Sequence, residues 1–531
     1  MPIDFSFSAI SARSNLGPAC WRRPFLKWLD GVEAGWAIPL LLVGFIAVWM
    51  AFLQIAYLSG DLHPDVLETW SLGRTWEWGN SKHPPLVGWV VYLWTSVFPL
   101  TDWSFQLLAM TNSAIALWSI DLISRHFVRG DKRIVVLLLL MLLPVYQFHA
   151  QRFNANTVLL ATWPIATYCF LRSFETGRLL WAIAAGASAA LALLGKYYSV
   201  FLVGGFVLAA VVHPQRRVYF RSLAPWVSTA SGLLVLAPHL YWLVKTGAPP
   251  FKYALKVHGG ATVSEALIQA SSFLLGIGAL MALPVLTWII IAGSRLKQFP
   301  ADFRVMNSGL LLLFFVSIGT VVFPMIATVS LRTDLPSVWA LQGLFLFVVL
   351  IVCGPRFPVE RFYSVNLAVM VLGTAMIAVI VAAPIHAIYR NTHPFKEGRN
   401  FYQLAVAELT RQWHEVSDTP LPLVSGSEAL AFATAFYSSD HPEFQLIWDL
   451  EEAWTPPQEA LKRGWGAMCF SDEEGCIAWI GRHVPPSRFV RSEFTVQSVL
   501  MGIPGASRKV TALIVPPDRA EKDPVTGPKQ R

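Results

Sequence analysis

The sequence predicts an all-α polytopic membrane protein that carries a small α/β domain at its C-terminal end. Three observations predict it. Of 531 residues, 55% are hydrophobic and only 14% are charged, whereas soluble domains carry roughly 25% charged residues. Apolar windows of roughly 20 residues recur along the chain, separated by short basic loops. From about residue 389 the pattern changes to amphipathic stretches and short strand-like runs. The formal charge of +8 is spread through the loops rather than gathered on one domain. That distribution reads as membrane orientation and argues against a nucleic-acid partner.

About eleven spans follow from the windows, near 37–58, 103–124, 134–150, 157–173, 179–195, 198–212, 223–243, 266–293, 307–327, 337–354 and 365–388. Residues 86–99 are apolar but short for a crossing, and read as an interfacial or re-entrant helix. With residues 1–36 in the cytoplasm, one set of loops holds more than twice as many Lys and Arg as the other, as the positive-inside rule requires. The first span is too long for a signal-peptide core and stays as an anchor. The expected organisation is therefore a cytoplasmic segment 1–36, a transmembrane domain 37–388 with a first outer loop at 59–102, an extracytoplasmic α/β domain 389–517 and a disordered tail 518–531. In the outer domain a helix is expected over 401–416, with strands over 420–426, 444–450, 466–472 and 510–517. Cys469 and Cys476 can pair there if that domain faces an oxidising compartment, whereas Cys169 and Cys353 read as core residues.

The most informative stretch is Gly60–Leu86, the first outer loop. It holds Asp61, His63, Asp65, Glu68, Arg74, Glu77, Lys82 and His83 beside Trp70, Trp76 and Trp78, more polar chemistry than a hairpin between spans needs. Pro64 suits a first helical position, so His63–Trp78 is expected to form a short helix along the interface. Their spacing of three puts Asp65 and Glu68 on one face of it. The remaining outer turns offer Arg152 and Asn156, then Lys196, Tyr197 and Tyr198, then Lys245, Lys252, Lys256 and His258, and finally Arg332 and Asp334. Each has a plain reading too. Asp65 and Glu68 suit a solvated helix face, Lys196 a snorkelling lysine, Asn154 and Asn156 a helix cap, and the lysines of the fourth loop contacts with lipid phosphate. Acids and cations recurring together on one face favour function, because interfacial ionisable residues are functional candidates by default.

Three stretches resemble the polyprenyl-phosphate-sugar-dependent glycosyltransferases of family 39, which include the protein O-mannosyltransferases and are close to the lipid A aminoarabinose transferases. They are Asp65 followed by Lys82-His83-Pro84-Pro85-Leu86, the turn Phe153-Asn154-Ala155-Asn156 with Trp163-Pro164, and Gly195-Lys196-Tyr197-Tyr198. The resemblance covers roughly residues 37–390. It implies a GT-C fold, with helices of the first outer loop over a cavity at the membrane surface, and it implies that Asp65 is the general base. Many family members follow this Asp with Glu, where this chain has Val66, so Glu68 is the candidate second carboxylate. The family often has an acid near the second outer turn, where this chain has Asn156, which weakens the case for a metal.

The expected reaction moves a sugar from a polyprenyl-phosphate donor to an extracytoplasmic acceptor, with inversion. The acceptor is lipid A or lipopolysaccharide, another envelope glycan, or a protein. The lipid phosphate is already a good leaving group, so cations must stabilise it as the glycosidic bond breaks. Lys82 and Lys196 are the first candidates, with Arg152 and Arg332 behind them. His83, Asn156, Tyr197, Tyr198 and His258 are candidate substrate contacts. The sequence requires no cofactor, and a divalent ion among His83, His258, Asp65 and Glu68 stays open because no ligand spacing there is diagnostic. A bacterial inner-membrane location is expected. A transporter or flippase is the competing reading, but such proteins usually place polar residues near the bilayer midplane, often with repeated halves. A scaffold whose outer domain does the work is the third.

Overall fold

The computed structural model describes residues 20–393, 401–445, 462–483 and 488–517. The disordered tail expected from 518 and most of the N-terminal segment lie outside these.

The chain enters through an amphipathic helix, α1 (Arg23–Ala34), closed by Gly35 in the left-handed region at φ 89°. α2 (Ala37–Ala56) is the first long apolar helix. The first outer loop then carries α3 (Pro64–Leu72) and α4 (Leu86–Thr95). Next come α5 (Asp102–Phe127), α6 (Asp131–Leu140), α7 (Val158–Thr176), α8 (Leu179–Gly195) and α9 (Val200–Val212). After the short α10 (Arg216–Arg221), α11 (Ala224–Thr246) leads to α12 (Pro249–His258) and the long α13 (Val263–Ala292). The body closes with α14 (Phe299–Arg304), α15 (Ser308–Leu331), α16 (Leu344–Cys353), α17 (Arg361–Ile377) and α18 (Ala383–Thr392), the last two joined by one π-helical turn.

Among the described residues six helices are long and apolar enough to cross a membrane, and others are shorter apolar helices. A count of eleven crossings does not follow from these helices alone. The expected span 134–150 is a case in point. α6 stops at Leu140, and the chain continues to Thr157 as turns and one short 3-10 helix, His149–Gln151. Leu143, Val145, Tyr146 and Ala150 are fully buried, with Pro144 and Phe148 exposed, so most of this irregular backbone packs against protein, where it is tolerated at membrane depth. α4 is ten residues long, about 15 Å, too short to cross.

Small residues set the tightest helix contacts, as expected where lipid removes the hydrophobic drive between helices. A Cβ added at Gly186 of α8 would lie 1.9 Å from the Ser228 carbonyl oxygen of α11, and one at Gly319 of α15 would lie 2.5 Å from Gly205 of α9. Any side chain at either position would force the pair apart.

The C-terminal domain opens with α19 (Tyr402–Val416), whose apolar face buries Ala405, Val406, Leu409 and Trp413. A five-stranded mixed sheet follows, in the order β2-β1-β3-β5-β4, from β1 (Leu423–Gly426), β2 (Glu443–Phe444), β3 (Trp465–Phe470), β4 (Val490–Leu500) and β5 (Ile503–Val515). β1 is parallel to β2 and β3, while β5 is antiparallel to β3 and β4. The expected strand 444–450 shows only its first residue in β2, and 446–450 lie outside the described residues. β4 was not among the expected strands, because its exposed positions alternate with few buried ones and dilute its apolar signal, and β5 begins seven residues before the expected 510. α20 (Glu428–Tyr437) and α21 (Glu474–His483) complete the domain. Cys469 and Cys476 form a disulfide with Cα atoms 6.0 Å apart.

Candidate active site

α3 presents the loop carboxylates. Pro64 stands at its first turn, and the His63 side chain caps it by accepting the Asp65 amide proton at 3.1 Å. The expected helix to Trp78 is shorter, ending at Leu72. The reason is Gly73: a Cβ there would sit 2.8 Å from the Gly88 carbonyl oxygen and 2.9 Å from its Cα. α3 thus ends in backbone contact with α4. Beyond it Arg74 leaves the helix axis and donates to the carbonyls of Pro442 and His441, at 2.5 and 2.7 Å. The loop tryptophans hold the loop in place: Trp70 meets Phe436 edge-on at 5.3 Å, and Trp76 stacks on Trp89 at 5.0 Å.

Asp65 points toward the turn before α7. Its Oδ2 accepts from Asn154 Nδ2 at 3.0 Å. Asn154 Oδ1 in turn accepts from the amides of Asn156 and Thr157, at 2.9 and 3.1 Å. Asn156 Oδ1 accepts from Lys196 Nζ at 2.6 Å. Two asparagines of one turn therefore link the carboxylate of Asp65 to the ammonium of Lys196. Asn154 and Asn156 do not cap α7, whose N-cap Thr157 has no side-chain cap bond; Asn154 instead closes the turn before it with its amide oxygen and serves Asp65 with its amide nitrogen.

The two ends of this relay have complementary electrostatics. Burial pushes the Asp65 carboxyl up, but the hydrogen bond and charge of His63, helped by Asn154 and Arg152, outweigh it and hold the group at about 2. His63 Nδ1 lies 3.1 Å from the Asp65 amide and 3.3 Å from its carboxylate. One ring nitrogen cannot accept from the first and donate to the second, so the full lowering belongs to the imidazolium form. With neutral imidazole the carboxyl is lowered less, and it is ionised at neutral pH either way. The Asp65 side chain is 45% exposed, open to an incoming group. Burial lowers Lys196 to about 8 against the pull of Asp65. Its ammonium lies over the Trp339 ring at 4.3 Å, and among the described residues it has no ion pair.

Lys82 sits differently. Its ammonium lies 2.7 Å from Glu68 and 3.2 Å from Glu428, at the start of α20 in the C-terminal domain. Burial opposes its charge, but the two carboxylates more than compensate and raise its pKa. Burial lifts Glu68 to about 7 despite Lys82. Glu68 and Lys82, placed in different roles by the sequence, are thus engaged with each other.

Burial and the ammonium groups of Lys82 and Lys196 drive His83 down to about 3, so it is a neutral imidazole between them. Tyr197 Oη pairs with His239 Nε2 at 2.8 Å, and His239 Nδ1 reaches the Trp78 carbonyl at 2.6 Å, so Tyr197 ties its turn to the first loop. Tyr198 stacks with Trp163 and meets Trp339 edge-on. His258 meets Trp339 at 5.4 Å and lies 3.9 Å from Asp334. Arg152 is close enough to lower Asp65. Arg332 is exposed at the end of α15, with no described contact to Asp65 or Lys196. Among the described residues no three His, Cys, Asp or Glu side chains gather as metal ligands; Asp65, Glu68, His83 and His258 are not brought into one such group. Sequence reasoning passed over Asn154 as a bridge, Trp339 beneath Lys196, and Glu428. The last two come from elements remote in the chain, and nothing local marks them.

Residues 82–242 match the family model described as dolichyl-phosphate-mannose-protein mannosyltransferase. The chain is 24% identical over 277 residues to the lipopolysaccharide core galacturonosyltransferase RgtB of Rhizobium johnstonii, covering 50% of this chain and 54% of that protein. It thus spans about half the length of the curated relative it matches. The structure superposes on ArnT from Cupriavidus metallidurans bound to undecaprenyl phosphate with a TM-score of 0.57, covering 90% of this chain and 98% of that one at 14% identity. Against ArnT in the apo state the TM-score is 0.56 at 15% identity. The chain has the GT-C fold of these structures, and its residues 82–242 resemble family 39. The family match begins at Lys82 and takes in Asn154, Asn156 and Lys196, while the GT-C likeness covers 90% of the chain.

Proposed function

We propose that this GT-C protein is a glycosyltransferase that moves a sugar from a polyprenyl-phosphate donor to an acceptor hydroxyl, with inversion at the anomeric carbon. The single observation that carries this reading is the relay from Asp65 through Asn154 and Asn156 to Lys196. It sets an ionised, half-exposed carboxylate and an ammonium with no carboxylate partner among the described residues at one site, in each other's field.

In the proposed step the acceptor oxygen bonds to the anomeric carbon as the bond from that carbon to the lipid-phosphate oxygen breaks. Asp65 takes the acceptor proton. With an ordinary or lowered pKa it is a weak base toward a resting hydroxyl, so proton transfer comes late, once the attacking oxygen has become acidic. Such general-base assistance contributes about 10²–10⁴ in rate. Lys196, with Arg152 nearby, receives the charge that develops on the departing phosphate. Neutral His83 suits a hydrogen bond to sugar or phosphate without adding charge.

The described RgtB activity and the undecaprenyl phosphate in ArnT support a lipid-phosphate donor and an envelope glycolipid acceptor. The Cys469–Cys476 disulfide and the segregation of basic loops support a C-terminal domain outside the cytoplasm of a bacterial inner membrane, with the N-terminus inside.

The test uses purified full-length protein in liposomes with a synthetic polyprenyl-phosphate sugar. Transfer that Asp65→Asn reduces by at least about 10², with unchanged thermal unfolding, is expected. Lipid-linked sugar crossing the bilayer without bond cleavage would instead establish a carrier.

A further inference from the structure

A polar cavity lies at the end of the transmembrane body opposite the Asp65 loop. α5 connects the two ends, with Asp102 near the Asp65 loop and Arg125 twenty-three positions further along, roughly 35 Å away by helical rise. Around its far end, the starts of α2 and α6, the end of α1 and the end of α7 enclose about 450 Å³. That volume is in the range of small-molecule sites.

The lining combines two chemistries. Arg125, Arg129, Arg133 and Arg172 face it, against only two carboxylates, Glu33 and Asp121. Asp121 is taken by Arg133, through two contacts of 2.6 Å. Glu33 accepts from the Gly130 amide and lies 3.8 Å from Arg129. Arg172 shares Glu175 with His126, and its buried Nε has no hydrogen-bond partner among the described residues. Arg125 is exposed and forms no described ion pair. The other wall is apolar: Ile38, Pro39, Leu122, Trp118 and Tyr168, with Trp118 half exposed on the flank of α5.

Arginines at helix ends also arise from membrane orientation and from the helix dipole. Neither cause requires a concavity, a surplus of guanidinium over carboxylate within it, or a buried guanidinium nitrogen left without an acceptor. Guanidinium matches phosphate oxygens in paired hydrogen bonds, and basic pockets between transmembrane helices suit lipid headgroups. We infer that this cavity binds the phosphate of an anionic phospholipid, with Arg125, Arg129 and Arg172 on the phosphate and an acyl chain leaving along Ile38 and Trp118. A free phosphoryl compound shares the headgroup chemistry but has no use for the apolar wall.

Native mass spectrometry of the full-length protein, released from nanodiscs containing equal amounts of phosphatidylglycerol and phosphatidylcholine, tests this. One phosphatidylglycerol is expected to stay bound at collision energies that strip phosphatidylcholine. Its affinity should fall at least tenfold in Arg125→Ala/Arg129→Ala, whose side chains are exposed and not needed for packing. Arg172→Ala should produce the same loss, and millimolar inorganic phosphate should leave the wild-type complex intact. Equal retention of both lipids, or unchanged phosphatidylglycerol binding in these variants, would overturn the inference. Displacement by inorganic phosphate would overturn the lipid assignment in favour of a soluble phosphoryl ligand.

Discussion

Lys82 and Lys196 reach the same outer site from opposite sides, and their surroundings divide the labour between them. Around Lys82 two carboxylates, Glu68 and Glu428, lie within 3.2 Å. Its charge is balanced before any substrate arrives, and the interaction joins the first loop to the C-terminal domain. Around Lys196 there is an amide oxygen and an indole face, which satisfy geometry but leave the charge uncompensated. Burial lowers the pKa of the second and the carboxylates raise that of the first. An ammonium that is costly to keep charged gains most when an anion binds, so Lys196 is the cation suited to a departing phosphate. Lys82 is suited to holding the loop. Two lysines that looked interchangeable in sequence are separated by whether acids lie beside them.

The sharpest way to break this comparison is Lys196→Ala against Lys82→Ala in the transfer assay. Loss of a positioned transition-state donor costs about 10²–10³ in rate, so kcat should fall by that much in the first variant and much less in the second. Equal losses would collapse the distinction. The pH profile sharpens it further. Lys196 acts as a cation, so kcat/KM should decline as pH rises through about 8, tenfold per unit beyond it. Lys196→Arg should move that limb beyond the measurable range. Asp65, ionised in this range with either form of His63, should give no acid limb between pH 5 and 7.

Lys82→Ala should act on stability instead. It leaves Glu68 buried without its cation, which costs about 1–3 kcal/mol. Uptake of a proton near pH 7 limits that penalty. A fall of a few degrees in Tm is expected, with Lys82→Ala/Glu68→Gln recovering most of it; no recovery would mean that Glu68 is not the group left stranded. The smallest effect belongs to Glu428→Gln. Its carboxylate is 41% exposed, and pairs with such exposure contribute roughly 0–1 kcal/mol. A barely changed Tm and a transfer rate within about twofold are expected, checked by thermal unfolding and by initial rates.

The fold class was legible because burying a polypeptide in hydrocarbon demands long apolar helices, and their hydropathy survives in any window along α2, α13 or α15. The cap and start of α3 were legible as well, since Pro64 and His63 act on their immediate neighbours. Its end was not: Gly73 stops the helix partly because Gly88 of α4 touches it, a contact no local pattern records. The span expected over 134–150 misled for a related reason, as its apolar residues are buried against protein and need no continuous helix.

The sequence alone determined that this chain crosses a membrane, that acids and cations recur together in its first loop and outer turns, and that Asp65 and Lys196 deserved attention. Only the tertiary structure decided which partner each received. Asn154 and Asn156 bridge the pair, Trp339 supports Lys196, and Glu428 reaches in from a separate domain. Charge and hydropathy are properties of residues and can be read along a chain. The availability of a charge depends on what lies within about 4 Å of it, and those neighbours come from positions tens to hundreds of residues apart.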